Sequence, residues 1–291
     1  MEITKTNNLS KKEYEEVVNL LKKCEFHDGY EISASINLSM IKKGDTTHLG
    51  LILAREKNEL IGFLGLFSFI DPKKIELAGM IHPEYRNQGK FSNLLESAKE
   101  MTRERDADEV LFVCPSKSDA AIHLALKMEA TYMYSEFTME YNEKFHKKYD
   151  CLQNMSIKIA DLSKATIIMK LLSDGFDVAP TDENVKSLIE RNASNPGYEL
   201  FLVHVGQTPI ATITVSDEEE SVYLSAFTIN PDHRGKGYGR AILEKIVSDL
   251  KVRYPKKAIR LDVDVRNEGA IKLYEKAGFR VIDGYDYYLA K

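Results

Sequence analysis

The feature that most restricts this chain is that it contains itself twice. The run Ile81-His82-Pro83-Glu84-Tyr85-Arg86, followed by Gly89, returns as Ile229-Asn230-Pro231-Asp232-His233-Arg234, followed by Gly237, at an offset of 148 residues. Ala121-Ile122-x-Leu124 returns as Ala270-Ile271-x-Leu273 at an offset of 149. One such pair can be chance. Two in register, in a chain of 291 residues that suits two domains, indicate a duplicated domain.

Hydrophobic periodicity gives both halves the same frame. Glu2 to Lys5 and Ser156 to Ala160 read as short strands followed by amphipathic helical stretches, with Ser10 and Asp182 as helix caps. Strand-like runs follow at 48–55 and 60–69 in the first half and at 199–205 and 209–215 in the second, where Gly206-Gln207 forms a hairpin turn. A third strand at 75–81 and 222–229 enters the repeated motif, which opens into a helix at 91–105 and 239–253. A further strand at 109–113 and 258–265 precedes a short helix and two final strands in each half. The predicted fold is mixed α/β (α+β): two tandem domains, each a twisted mixed sheet flanked by helices, at residues 1–141 and 156–291. The polar, strand-poor stretch 142–155 is the predicted linker.

The repeated motif is richest in its second copy, Arg234-Gly235-Lys236-Gly237-Tyr238-Gly239, followed by Arg240. A strand, a glycine turn and a helix start aim free backbone N–H groups and the positive end of the helix dipole at one spot, and such a spot binds phosphate. The three glycines let the backbone approach closely, and Arg234, Lys236 and Arg240 supply charge. A nucleotide P-loop requires Ser or Thr after Gly-Lys, and here Gly237 follows. A dinucleotide fingerprint requires GxGxxG early in its domain, whereas GxGxG stands here after four strands.

With this loop in view, the second half resembles the GNAT superfamily of N-acetyltransferases, whose signature [QR]xxGx[GA] matches at Arg234 to Gly239. The family's second element, an Asn and an alanine-led helix ending in LYxxxGF, matches Asn267 to Phe279. The likeness covers 156–291 and, more faintly, 1–141. It implies a V-shaped opening between the fourth and fifth strands, with the pantetheine arm paired to the backbone of Phe227, Thr228 and Ile229. It places the pyrophosphate of acetyl-CoA, or another acyl-CoA, on the loop from Arg234 to Arg240. It turns Asn267 toward the cofactor, although Asn before a helix is also a preferred N-cap. It makes Tyr274 the acid that protonates the departing thiolate, and a phenol with a reference pKa of about 10 is protonated at neutral pH as that role requires.

A base must take a proton from the incoming ammonium. Asp262 and Asp264 lie two apart on the fifth strand, hence on one face, and are the candidates; the alternative is a solvated face or a salt link to Arg260. The acidic run 217–220 reads as a solvated loop or a lure for a cationic acceptor. Tyr285, Tyr287 and Tyr288 either line the acceptor pocket or pack.

The first copy of the loop, Arg86-Asn87-Gln88-Gly89-Lys90-Phe91, keeps one glycine and places Phe91 where the second copy has Gly239. Ala125 stands at the position of Tyr274, so the first domain is expected to be catalytically silent. The expected function is N-acyl transfer from acetyl-CoA to a primary amine of a small-molecule or peptide acceptor. The alternative is a noncatalytic acyl-CoA sensor or interaction module. A net charge of −5 disfavours nucleic acid as a partner. Three widely spaced cysteines, of which two are expected in the core, form no disulfide framework, and the histidines show no metal spacing. No apolar run near 18 residues and no secretory leader is read in the sequence, so a cytoplasmic location is the expectation.

Overall fold

The computed structural model describes residues 1–43, 49–69, 71–149, 154–176, 186, 189–190, 197–218 and 220–291. The expected cap Asp182, the strand start at His48, and Cys151 lie outside these. The chain forms two compact units, 1–135 with 283–291, and 136–282.

The first unit begins with β1 (Glu2–Thr6) and α1 (Lys11–Asp28). Ser10 and Glu13 form a capping box at the start of α1, and Gly29, with φ +74°, ends it in the left-handed region. Val17, Leu20, Leu21 and Cys24 give α1 a buried stripe at helical spacing. Two short helices follow, α2 (Ser33–Ile36) and α3 (Leu38–Lys43). Next come β2 (Leu49–Glu56), β3 (Glu59–Phe67), β4 (Lys74–Ile81), α4 (Lys90–Glu104), β5 (Glu109–Pro115) and α5 (Asp119–Lys127). Strands in this sheet are apolar on both faces. Leu51 and Leu53 pack with α1, and Ile52 and Ala54 pack with Leu94, Leu95 and Ala98 of α4.

A single strand, β6 (Thr131–Tyr141), follows α5, where two strands were expected. The second half begins with β7 (Met155–Ile159), α6 (Ala165–Phe176), β8 (Tyr198–Val205) and β9 (Thr208–Asp217). It continues with β10 (Ser221–Ile229), α7 (Tyr238–Arg253), β11 (Ala258–Asp264), α8 (Glu268–Lys276) and β12 (Phe279–Leu289). Here too one eleven-residue strand replaces the two expected. The run 131–141 contains no Gly, Pro, Asn or Asp, and Gly284 stays out of the positive-φ region, so neither chain segment reverses.

Within the first unit the strands run β1-β2-β3-β4-β5-β12, antiparallel except for the parallel pair β4 and β5. Within the second they run β7-β8-β9-β10-β11-β6, with the same orientations and with β10 and β11 as the parallel pair. Duplication is thus visible in topology as well as in sequence. Each sheet also borrows its closing strand. Residues 285–289 of β12 pair with 111–115 of β5, and residues 136–140 of β6 pair with 260–264 of β11. The units therefore differ from a simple cut at 142–155, because strand pairing ignores sequence order. Tyr285 and Tyr287 sit in the first unit's core beside α1, with Tyr287 stacked on Tyr134 at 4.4 Å, so the aromatic tail packs.

In the expected linker, Asn142 caps a 3-10 turn at Glu143–Phe145. Cys24 and Cys114 are buried free thiols. No described helix is long and apolar enough to cross a membrane.

Candidate active site in the second unit

The site is made by a parallel pair that stops pairing. β10 and β11 are matched from Ser221 and Ala258 up to Leu224 and Leu261, and both strands then continue without ladder partners on each other. At the same point β10 slips against β9 between Ser225 and Thr228, and Ala226 takes φ +48°. Extra residues in one strand bend it, and a left-handed alanine costs roughly 1 kcal/mol that the surrounding structure must sustain. The bend opens a cleft of about 60 Å³ lined by Leu224, Ser225, Ala226, Phe227, Leu243, Leu261, Asp262 and Tyr274. An unpaired strand edge of this kind accepts an extended ligand as an additional strand.

At the end of β10 the chain makes a 3-10 turn at Pro231–His233, in which the Asn230 side chain accepts from the Asp232 N–H. The Arg234 Nε donates to the Ile229 carbonyl at 2.8 Å and Nη2 to the Asp174 carbonyl at 3.1 Å, which fixes the loop's entry. Gly235 and Gly237 hold φ +73° and +84°, a region that L side chains resist. Gly239 is buried, and a Cβ there would stand 2.9 Å from a Leu273 methyl. Ala241 N–H donates to the Gly237 carbonyl at 3.1 Å across the cap, and the N–H groups of α7 before it are left without helical partners, as at any helix start.

One residue of the expected linker joins this loop, unannounced by any sequence signal. Tyr149 sets its hydroxyl over Gly237, where an added Cβ would meet it at 2.2 Å. The Arg240 guanidinium lies 4.7 Å from the Tyr149 ring centroid and donates to the Lys147 carbonyl at 2.8 Å. A lone tyrosine in a charged stretch carries no periodic or motif signal.

Tyr274 and Asp262, distant in sequence character, meet in the cleft. Tyr274 is 8% exposed, its ring 6.5 Å from that of Phe227, and its hydroxyl makes no hydrogen bond to protein among the described residues. Burial pushes this phenol up to about 12, so it stays protonated. Asp262 opens onto the cleft, yet protein crowds its carboxyl on the other sides; the crowding dominates and pushes it up to about 6. Two weaker effects oppose this: a hydrogen bond from Thr138 Oγ1 to Asp262 Oδ1 at 2.6 Å, and the charge of Arg260. Arg260 is itself held by Glu140, Nε to Oε2, at 2.9 Å.

The other candidates separate from this pair. Asp264 receives Arg266 Nε and Nη2 and the Arg266 backbone N–H, and these hydrogen bonds hold its carboxyl below the usual range. Asn267 caps α8, its Oδ1 accepting from Ala270 N–H at 3.0 Å. Thr228 is 6% exposed, and Gly175 of α6 lies so close that a Cβ would clash with its hydroxyl. In the acidic run, Asp217 forms an ion pair with Lys257.

The first unit repeats the scaffold with different side chains around it. Asn87 and Gly89 take φ +59° and +71°, matching Gly235 and Gly237, and Arg86 Nε reaches the Ile81 carbonyl at 3.0 Å. Yet Arg86 is spent on Asp28, Nη1 and Nη2 donating to its two oxygens at 2.6 and 2.9 Å. Lys90 is paired with Glu56 at 2.5 Å. β4 pairs with β3 without a bulge from Gly62 to Phe67, and Ala125 is buried where Tyr274 would stand.

Comparison with known proteins agrees with this double construction. Two curated relatives match short stretches: an uncharacterised N-acetyltransferase of Methanocaldococcus jannaschii, 33% identical over 63 residues, and a probable spermine N(1)-acetyltransferase of Bacillus subtilis subsp. natto, 36% identical over 59. These cover 22% and 20% of this chain, and the chain spans 27% and 39% of those relatives. Among solved structures, a tandem GNAT protein from the clavulanic acid biosynthesis pathway superimposes with a TM-score of 0.74 at 12% identity, covering 99% of this chain and 98% of that one. The model of the acetyltransferase (GNAT) family matches twice, at residues 14–129 and 165–279, once in each half: the chain belongs to the GNAT acetyltransferase family.

Proposed function

We propose that this chain transfers an acyl group from acyl-CoA, with acetyl-CoA as the ordinary donor, to a primary amine of a small-molecule or peptide acceptor. The chemistry belongs to residues 156–291 together with the strand they borrow, and the domain of residues 1–141 is catalytically silent. The observation that carries this reading is the meeting of Tyr274 and Asp262 in one cleft where β10 and β11 part.

Each role follows from local chemistry. Backbone groups of Phe227, Thr228 and Ile229 offer a free edge to the pantetheine amides, and the loop Arg234-Gly235-Lys236-Gly237-Tyr238-Gly239 with Arg240 receives the pyrophosphate. Asn267 keeps its Nδ2 for the cofactor while its Oδ1 caps the helix. Asp262 takes the proton of the incoming ammonium, the amine attacks the thioester carbonyl, and N–H groups of bent β10 stabilise the oxyanion. The carbon–sulfur bond then breaks, Tyr274 gives its proton to the thiolate, and the second proton shed by the amide nitrogen restores the phenol. Asp264, bound by Arg266, serves as a second acid on that face and a weaker candidate for base. A cytoplasmic location, where thiols stay reduced, suits the free Cys24 and Cys114.

The test is turnover of acetyl-CoA across a panel of amines. Tyr274→Phe is expected to lower kcat about 100-fold while acyl-CoA affinity stays nearly unchanged. Unchanged turnover removes the acid assignment. Thermal stabilisation by CoA with no turnover on any amine would support a noncatalytic acyl-CoA sensor instead.

A further inference from the structure

Asp262 is held by a residue from the other half of the sequence. Thr138 of β6 stands directly opposite Asp262 in the antiparallel pair of β6 with β11, is 2% exposed, and gives its one hydroxyl proton to Asp262 Oδ1 at 2.6 Å. Oδ2 has no hydrogen-bond partner among the described residues, and Asp262 lines the cleft. A carboxylate held by one oxygen keeps its plane fixed and its other oxygen available, which is the posture of a general base.

The surrounding charges are otherwise committed. Arg260 on the same strand is bound to Glu140 of β6, and Asp264 to Arg266. Glu136 and Glu140 share the Thr138 face of β6, Tyr223 of β10 stands opposite Arg260, and Tyr274 approaches from α8. None of these hydrogen-bonds Asp262. The duplication supplies an internal control. At an offset of 149, Asp262 corresponds to Val113 and Thr138 to Tyr287, and these two are likewise direct partners, in the first unit's sheet. The silent copy thus has neither the acid nor its donor, and the working copy has both.

We infer that Thr138 is the positioning residue of the candidate base, so that the site in the second unit is completed by a strand from the first half of the sequence. The inference rests on the reading of Asp262 as base. Removal of the hydroxyl leaves burial nearly unopposed and makes the carboxylate harder to form.

The experiment uses the full chain with Thr138→Val and Thr138→Ser, and reads the pH profile of kcat/KM beside the titration of the Asp262 carboxyl by 13C NMR. In Thr138→Val both the acid limb and the carboxyl midpoint are expected to move up by about one pH unit, with KM for acetyl-CoA unchanged. Thr138→Ser is expected to bring both back. An Asp262 midpoint that does not move in Thr138→Val overturns the inference. A midpoint that moves while the acid limb stays still shows that Thr138 grips a carboxylate that is not the base, and overturns it also. Wild-type chain without turnover on any amine overturns the enzymatic reading itself and the inference with it, a failure distinct from either of the first two.

Discussion

The loops at Arg86–Phe91 and Arg234–Gly239 share a backbone and differ in what surrounds it. Both follow a 3-10 turn, both place two residues in the left-handed region, and both tie an arginine Nε to the strand that precedes them. In the first, carboxylates of Asp28 and Glu56 absorb the basic side chains, and β4 stays paired to β3. In the second, the Arg234 side chain donates to carbonyls of Ile229 and Asp174, β10 is bent, and a phenol stands behind it. An anion nest is a property of backbone shape that outlives its use; β4 and β5 also stop pairing after Leu77 and Phe112, so under the proposed function it is uncommitted charge and the bulge in β10 that separate the site from its relic.

The largest expected effect comes from copying the relic onto the site. Gly239→Phe, which reproduces Phe91, forces a ring against Leu273 and Ile229; it is expected to cost about 3 kcal/mol and weaken CoA binding at least about tenfold, read by thermal melting and calorimetric titration. Binding left intact would mean that the phosphate spot lies elsewhere.

A smaller effect is expected in the opposite direction. Burial raises the Asp28 carboxyl, but hydrogen bonds from Arg86 and His27 outweigh it and hold the group below its usual range. Its stabilising contribution is therefore present above the unfolded value near pH 4 and is lost as pH falls through the lower folded value. Asp28→Asn is expected to destabilise the first unit by roughly 2 kcal/mol at pH 7 without creating a second CoA site, so that titration still gives one CoA per chain. Two CoA per chain would show that the pairing alone had silenced the loop.

The smallest effect has the reverse sign. With its folded value near 6, above the unfolded value near 4, Asp262 contributes stability that is fully present below pH 4 and is lost as pH rises through 6. Asp262→Asn is expected to melt slightly higher than wild type at pH 8 while losing most turnover. A lower melting temperature at pH 8 would mean that the carboxylate is favoured by its surroundings.

Most of the fold could be read beforehand, because periodicity and the repeat are local signals. Ser10 announces α1, and the glycines announce the loop. The places of Tyr274 and Asp262 were expected for different reasons, one from its motif and one from strand alternation, which also offered Asp264 equally; the two acids are separated by the local grip of Arg266 on Asp264 and by the distant Thr138 that holds Asp262 at the cleft. Thr138 and Tyr149 were illegible, since a threonine in an alternating strand and a tyrosine in a charged stretch acquire meaning through partners far along the chain. The single closing strands were missed because a strand's neighbour is chosen by sheet edges that sequence order does not reveal.

The borrowed strands also set a timetable for synthesis. The first unit's sheet needs residues 285–289, which leave the ribosome after the whole of the second unit, so β5 must wait with an open edge through most of translation. The second unit meets no such delay, because β6 is made before β11. In this chain the half that is translated first is the half that finishes last.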